Sequence, residues 1–164
     1  MDHEILFQRI LYQLPKELNW LKDHVNWVNS RGYVIKGVRA IIWGRVEEGE
    51  TYLMKALKYG VQVDRLFLSQ LSSQVTSYET EFGKHMAQNV INNLSQCLEK
   101  LTNRAEIRWF KGVYAVNTAF KSYQHGEYAN VPHSVLSSII NDPSYLVNRG
   151  VLKIFLSSLV KLKN

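Results

Sequence analysis

Residues 33–60 read YVIKGVRAIIWGRVEEGETYLMKALKYG, and this stretch decides the fold class. Small residues fall at Gly37, Ala40, Gly44, Gly49 and Ala56, and large apolar ones at Tyr33, Ile41, Leu53 and Leu57. Small side chains at a seam let two helix backbones approach closely, and their larger neighbours interdigitate around them. The stretch is therefore expected to form two packed helices, about 33–46 and 48–59, split at Glu47-Glu48-Gly49.

Helical periodicity extends in both directions from this pair. Upstream, Ile5, Leu6, Ile10, Leu11 and Leu14 recur at helical spacing, and Leu18, Leu21, Val25 and Val28 form a second stripe that Ser30-Arg31-Gly32 is expected to end, with Gly32 as a left-handed cap. Downstream, Asp64 is placed to cap a helix running to about Ser77, with a polar end expected to fray. Further helices are expected over about 84–101, 103–124, 128–140 and 145–161, the last through Leu146, Val151, Leu152, Phe155, Leu159 and Leu162. No run alternates as a strand would. The expectation is an all-α chain of eight or nine helices in a single domain.

With 164 residues, the chain has room for one domain with a sizeable core. Three prolines leave space for long helices, and an apolar share of 46% places the chain among globular proteins. The net charge is +6, and residues 111–164 hold six basic and two acidic side chains, hence +4 of it. That excess would suit an anionic surface. The lysines are scattered rather than clustered, which favours a solvated helical face over a nucleic-acid surface.

Cys97 is the sole cysteine, so no intrachain disulfide or multi-cysteine metal site forms, and a buried inert thiol in a reducing compartment is the expectation. Asp2 and Glu4 stand where a signal peptide would carry basic residues, and no apolar run reaches the roughly 18 residues of a membrane span. A cytoplasmic location follows as an expectation, with the membrane periphery open to the basic C-terminal helix.

A second hairpin-like stretch supports the first. Ala119, Gly126, Tyr128, Val131, Val135, Ser138 and Pro143 have the spacing of a tetratricopeptide-like unit, with a small residue, a turn glycine, inward apolar residues and a terminal proline. Aligned on Gly44 and Gly126, the two stretches lie 126 − 44 = 82 residues apart, against about 34 for tandem repeats. Repeat-like hairpins over about 33–60 and 112–143, with a helical insertion over about 61–111, are the expected organisation, and a right-handed helical-hairpin solenoid the expected architecture.

The segment Asn141-Asp142-Pro143-Ser144-Tyr145-Leu146-Val147-Asn148-Arg149-Gly150-Val151-Leu152, following such a hairpin, resembles the C-terminal helical region of bacterial, cyanobacterial-type family 2 glycosyltransferases. The opening hairpin, through Gly37, Gly44 and Lys55-Ala56-Leu57, is similar to an earlier part of that region. The resemblance covers roughly residues 15–160. Such enzymes carry catalysis in a separate nucleotide-sugar domain with an Asp-x-Asp metal site. The aspartates here are Asp2, Asp23, Asp64 and Asp142, and no two of them form that motif. The resemblance therefore implies an accessory region without a catalytic residue, cofactor or metal, whose protein partner would be a glycosyltransferase catalytic domain.

The five histidines, His3, His24, His85, His125 and His133, show no metal-ligand spacing. Trp20, Trp27, Tyr33, Trp43, Trp109, Tyr114 and Tyr123 are expected to be mostly core, with some lining the groove that helical repeats present to a partner. The binding groove expected from sequence comprises Arg39, Trp43, Arg45, Trp109, Tyr114, Tyr123 and Arg149. Arg149 has an equal alternative, hydrogen bonding to the carbonyls that end the preceding helix. A non-catalytic protein-interaction scaffold is the first functional expectation, and attachment to an anionic membrane through residues 145–164 the second.

Overall fold

The computed structural model describes residues 3–163; Asp2 and the side chains of His3, Glu4, Leu21 and Asp23 lie outside the described residues. Among the described residues every regular element is a helix, with eight α-helices, three 3₁₀ segments and no strand. The backbone groups into two compact units, Met1–Gln62 and Val63–Asn164.

The first unit contains α1 (His3–Tyr12), a 3₁₀ segment (Lys16–His24), α2 (Val25–Ile42) and α3 (Val46–Lys58). The expected break at Ser30-Arg31-Gly32 is absent, because α2 runs straight through it. Asn29 and Ser30 are buried, and the Ser30 hydroxyl donates to the Trp27 carbonyl at 2.6 Å. Burial of Tyr33, Val34 and Val38 beyond the glycine outweighs the roughly 1 kcal/mol that a mid-helix glycine costs. The turn also lies earlier than Glu47-Glu48-Gly49. Glu47 and Glu48 occupy the first turn of α3, where the helix dipole favours acids.

The turn instead centres on Gly44, at φ +77°. Gly44 N–H donates to the Ile41 carbonyl at 3.0 Å and Arg45 N–H to that of Ala40 at 2.8 Å, the paired closure of a left-handed C-terminal cap. Gly126 repeats it at φ +77°, with Gly126 N–H on the Tyr123 carbonyl at 3.2 Å and Glu127 N–H on that of Ser122 at 2.8 Å. Both cap bonds thus recur at the 82-residue offset. Burial recurs with them, since Gly37 and Ala119, Gly49 and Val131, Leu53 and Val135, and Ala56 and Ser138 are all buried.

The second unit contains α4 (Arg65–Phe82), α5 (Lys84–Glu99), α6 (Arg104–Gln124), α7 (Val131–Asn141) and α8 (Arg149–Lys161). Asp64 caps α4 as expected, accepting from the Phe67 N–H at 2.8 Å. Past Ser77, α4 continues to Phe82, because Thr76 and Ser77 direct their hydroxyls back to the Ser72 and Ser73 carbonyls, each at 2.9 Å, and leave the backbone ladder intact. Residues 61–111, expected as an insertion, supply α4 and α5, and both pack on α6 within this unit. Leu68, Leu71, Ile91, Leu94, Leu98 and Phe110 fill that contact. A second cluster of Ala119, Val131, Val135, Val151 and Ile154 joins α6, α7 and α8.

The last helix starts four residues later than expected. Pro143–Val147 forms a 3₁₀ turn whose Ser144 N–H donates to Asp142 Oδ1 at 3.0 Å. Asn148 Oδ1 then accepts from the Gly150 and Val151 N–H groups at 3.0 and 3.1 Å and caps α8. The segment that carries the glycosyltransferase resemblance therefore consists locally of two consecutive side-chain caps.

Candidate functional site

A cleft of about 540 Å³ opens in the second unit between α5 and α7, with α6 beneath it. Its size falls within the ~300–1,000 Å³ range of small-ligand sites. Tyr114, Ala115 and Thr118 of α6 and Glu79 of α4 form the floor. His85, Gln88 and Asn92, at i, i+3 and i+7, line the α5 wall. His133, Ser137 and Asn141, at i, i+4 and i+8, line the α7 wall, on a face adjoining the buried Val131–Val135–Ser138 stripe. Lys111 enters from α6, one turn before Tyr114.

Floor and walls differ in electrostatics. Glu79 is only 6% exposed. Its Oε2 accepts from the Thr118 hydroxyl at 3.5 Å, and the Tyr114 phenol donates to the same carboxylate. Burial, followed by the charge of Glu79, pushes the Tyr114 pKa up to about 12, so the phenol keeps its proton and serves as a donor. Both partners of Glu79 are neutral hydroxyl groups. A carboxylate offers about four acceptor sites, so two hydroxyl donors leave some of them open to a ligand. Lys111 is half-buried, and among the described residues it forms no ion pair with Glu79 or any other acid. The wall amides and hydroxyls are partly engaged within their own helices, Gln88 with Asn92 at 3.4 Å and Asn141 with the Ser137 carbonyl at 2.8 Å, which fixes their orientation and leaves lone pairs and protons for a ligand. Among the described residues no group of three or more His, Cys, Asp or Glu could hold a metal ion.

The residues singled out from sequence lie in several places. Arg39, Trp43 and Arg45 belong to the first unit. Trp43 is 65% exposed, with the Arg45 guanidinium 5.2 Å from its ring centre and Arg45 paired to Glu48 at 2.9 Å. Arg39 is exposed on α2. In the second unit, Trp109 is half-buried beside the Arg65 guanidinium at 5.3 Å. Tyr123 shares a 2.8 Å hydrogen bond with Ser157 and lies 5.0 Å under the Lys161 ammonium. Arg149 is exposed in the first turn of α8, and Arg108 takes the helix-ending role, donating to the Ile140 carbonyl at 3.0 Å. Of the seven, Tyr114 alone lines the cleft.

The expectation of mostly buried aromatics holds for Tyr33 and Tyr114, 2% and 7% exposed, holds in part for the half-buried Trp109 and Tyr123, and fails for Trp20, Trp27 and Trp43, which are 55%, 59% and 65% exposed. Each of these indoles has a local companion in His24, Arg31 or Arg45, so a cation or imidazole covers part of its face instead of the core. Glu79 and Lys111 escaped the sequence reading, and His85 and His133 entered it only as histidines without metal-ligand spacing. The signal available was a polar stripe flanking the buried stripe on α5 and on α7. Which stripes face each other depends on helix packing, which no local spacing encodes. Cys97 is 2% exposed on α5.

Comparison with known proteins finds no family model, no curated protein and no solved structure that matches the chain.

Proposed function

We propose that the chain is a non-catalytic, tetratricopeptide-like scaffold that docks another protein, its helical hairpins following a right-handed solenoid path, and that it serves as the accessory region of a family 2 glycosyltransferase. The three exposed tryptophans of the first unit carry this reading. Tryptophan is enriched among interface residues whose truncation costs the most binding energy, so exposed indoles are candidate anchors for a partner. The matching caps at Gly44 and Gly126 support the hairpin part of the reading, and the segment from Asn141 to Leu152 supports the enzyme association.

The test is co-elution of the purified chain with a family 2 catalytic domain from the same genome. A stable complex is expected, with tryptophan emission shifted to the blue and binding weakened at least about tenfold, or 1.4 kcal/mol, by Trp43→Ala. Two proteins that elute separately, with unchanged fluorescence, would overturn the enzyme association.

A second reading rests on α8. Leu156, Val160 and Leu162 are exposed beside Lys153 and Lys163, a combination suited to an anionic lipid surface. Lys161 contributes less, because its ammonium is held by the Tyr128 hydroxyl at 2.8 Å. Among the described residues no helix is long and apolar enough to cross a membrane. Co-sedimentation with phosphatidylserine vesicles and not with phosphatidylcholine vesicles is the expected result, and equal recovery with both would exclude it.

A further inference from the structure

We propose that the α5–α6–α7 cleft binds a small zwitterion, a ligand with an ammonium and a carboxylate on one short frame, the ammonium meeting Glu79 and the carboxylate meeting Lys111. This inference is independent of the protein-docking reading.

Two opposite charges line one cleft and do not neutralise each other. Glu79 lies on the floor, more than nine-tenths buried, with hydroxyl groups of Tyr114 and Thr118 as its hydrogen-bond partners. Lys111 lines the same cleft without an ion-pair partner among the described residues. A ligand ammonium on Glu79 would add a charge-assisted bond to those of the two hydroxyl groups, in surroundings where such a bond is stronger than on an open surface. Polyanions are disfavoured by the floor carboxylate. Polycations are disfavoured by Lys111 and by the +6 charge of the chain. An apolar ligand would strand the amides and hydroxyls of both walls. A zwitterion with a polar frame satisfies all three restrictions. Free amino acids and dipeptides share this chemistry, and the volume of about 540 Å³ admits either.

The experiment is an amide NMR titration of the full chain with L-glutamine and with alanyl-glutamine, each compared with its N-acetylated and its C-amidated form. Millimolar zwitterion is expected to shift resonances of α5, α6 and α7, and each blocked form to bind about tenfold more weakly. The better of the two zwitterions identifies the source. Glu79→Gln should erase the preference for a free amine and keep that for a free carboxylate; Lys111→Ala should do the reverse. A merely structural role for either residue would weaken all forms alike. Charged and blocked forms binding equally, or no shift with any of them at millimolar concentration, would overturn the proposal.

Discussion

Burial and a neighbouring charge act on the same proton at Tyr114. The phenol is 7% exposed, and burial together with Glu79 raises its pKa from the ordinary 10 to about 12. Below pH 10 folded and unfolded chains both keep this proton, and its contribution is constant. Between pH 10 and about 12 the unfolded chain releases it while the folded chain retains it, so stability falls as pH rises, by at most about 1.4 kcal/mol per pH unit. Other tyrosines and the lysines titrate in the same window, so the readout is a difference. Urea denaturation of the wild type and of Tyr114→Phe should show a stability gap that shifts against the wild type as pH climbs through this window. A gap of constant size would mean that the phenol is not shielded as described. The residue was legible in sequence as an aromatic of α6, and its carboxylate partner was not, because Tyr114 and Glu79 are brought together by the α4–α6 crossing alone.

At the scale of elements, the α2–α3 and α6–α7 hairpins share a turn and differ in how tightly their seams close. A methyl group at Gly49 would run into the Ile41 side chain and approach the Gly37 carbonyl oxygen to 2.8 Å. A methyl at Gly37 would meet the Gly49 carbonyl oxygen at 3.0 Å. Backbone atoms yield little, so Gly49→Ala should cost about 1–3 kcal/mol through overpacking, beyond any helix-propensity gain. At Gly112 the nearest atoms stand at 3.4 Å, ordinary contact, so Gly112→Ala should be neutral or stabilise by up to about 1 kcal/mol. Thermal and urea melts should therefore drop for Gly49→Ala and hold or rise for Gly112→Ala, and a Gly49→Ala chain as stable as the wild type would refute the close seam. Small residues spaced along 33–60 made this seam readable before any coordinates. Element ends were less readable. Gly32 resembles a stop and lies inside a helix, since α2 buries Tyr33, Val34, Val38 and Ile41 beyond it. The caps at Asp142 and Asn148 went unread because a proline nearby drew the helix start toward Tyr145.

At the scale of the molecule, the all-helical class was legible from periodicity, and the grouping into Met1–Gln62 and Val63–Asn164 was not. Nothing in composition marks the boundary except Gly60, followed by four residues without helix. The second unit holds its own helix caps, at Asp64, Asn103 and Asn148, and its own core from Leu68 to Ile154. At about 100 residues it is large enough to bury most of its apolar surface, whereas a unit near 60 residues is marginal. The first unit also leaves Trp20, Trp27 and Trp43 in water. A fragment comprising residues 63–164 should therefore remain helical by circular dichroism and unfold in one cooperative urea transition. A fragment comprising residues 1–62 should show a broader transition at lower urea. The zwitterion cleft lies wholly in the larger fragment, so its ligand-induced amide shifts should survive the cut. A 63–164 fragment without cooperative unfolding would overturn the independence of the second unit.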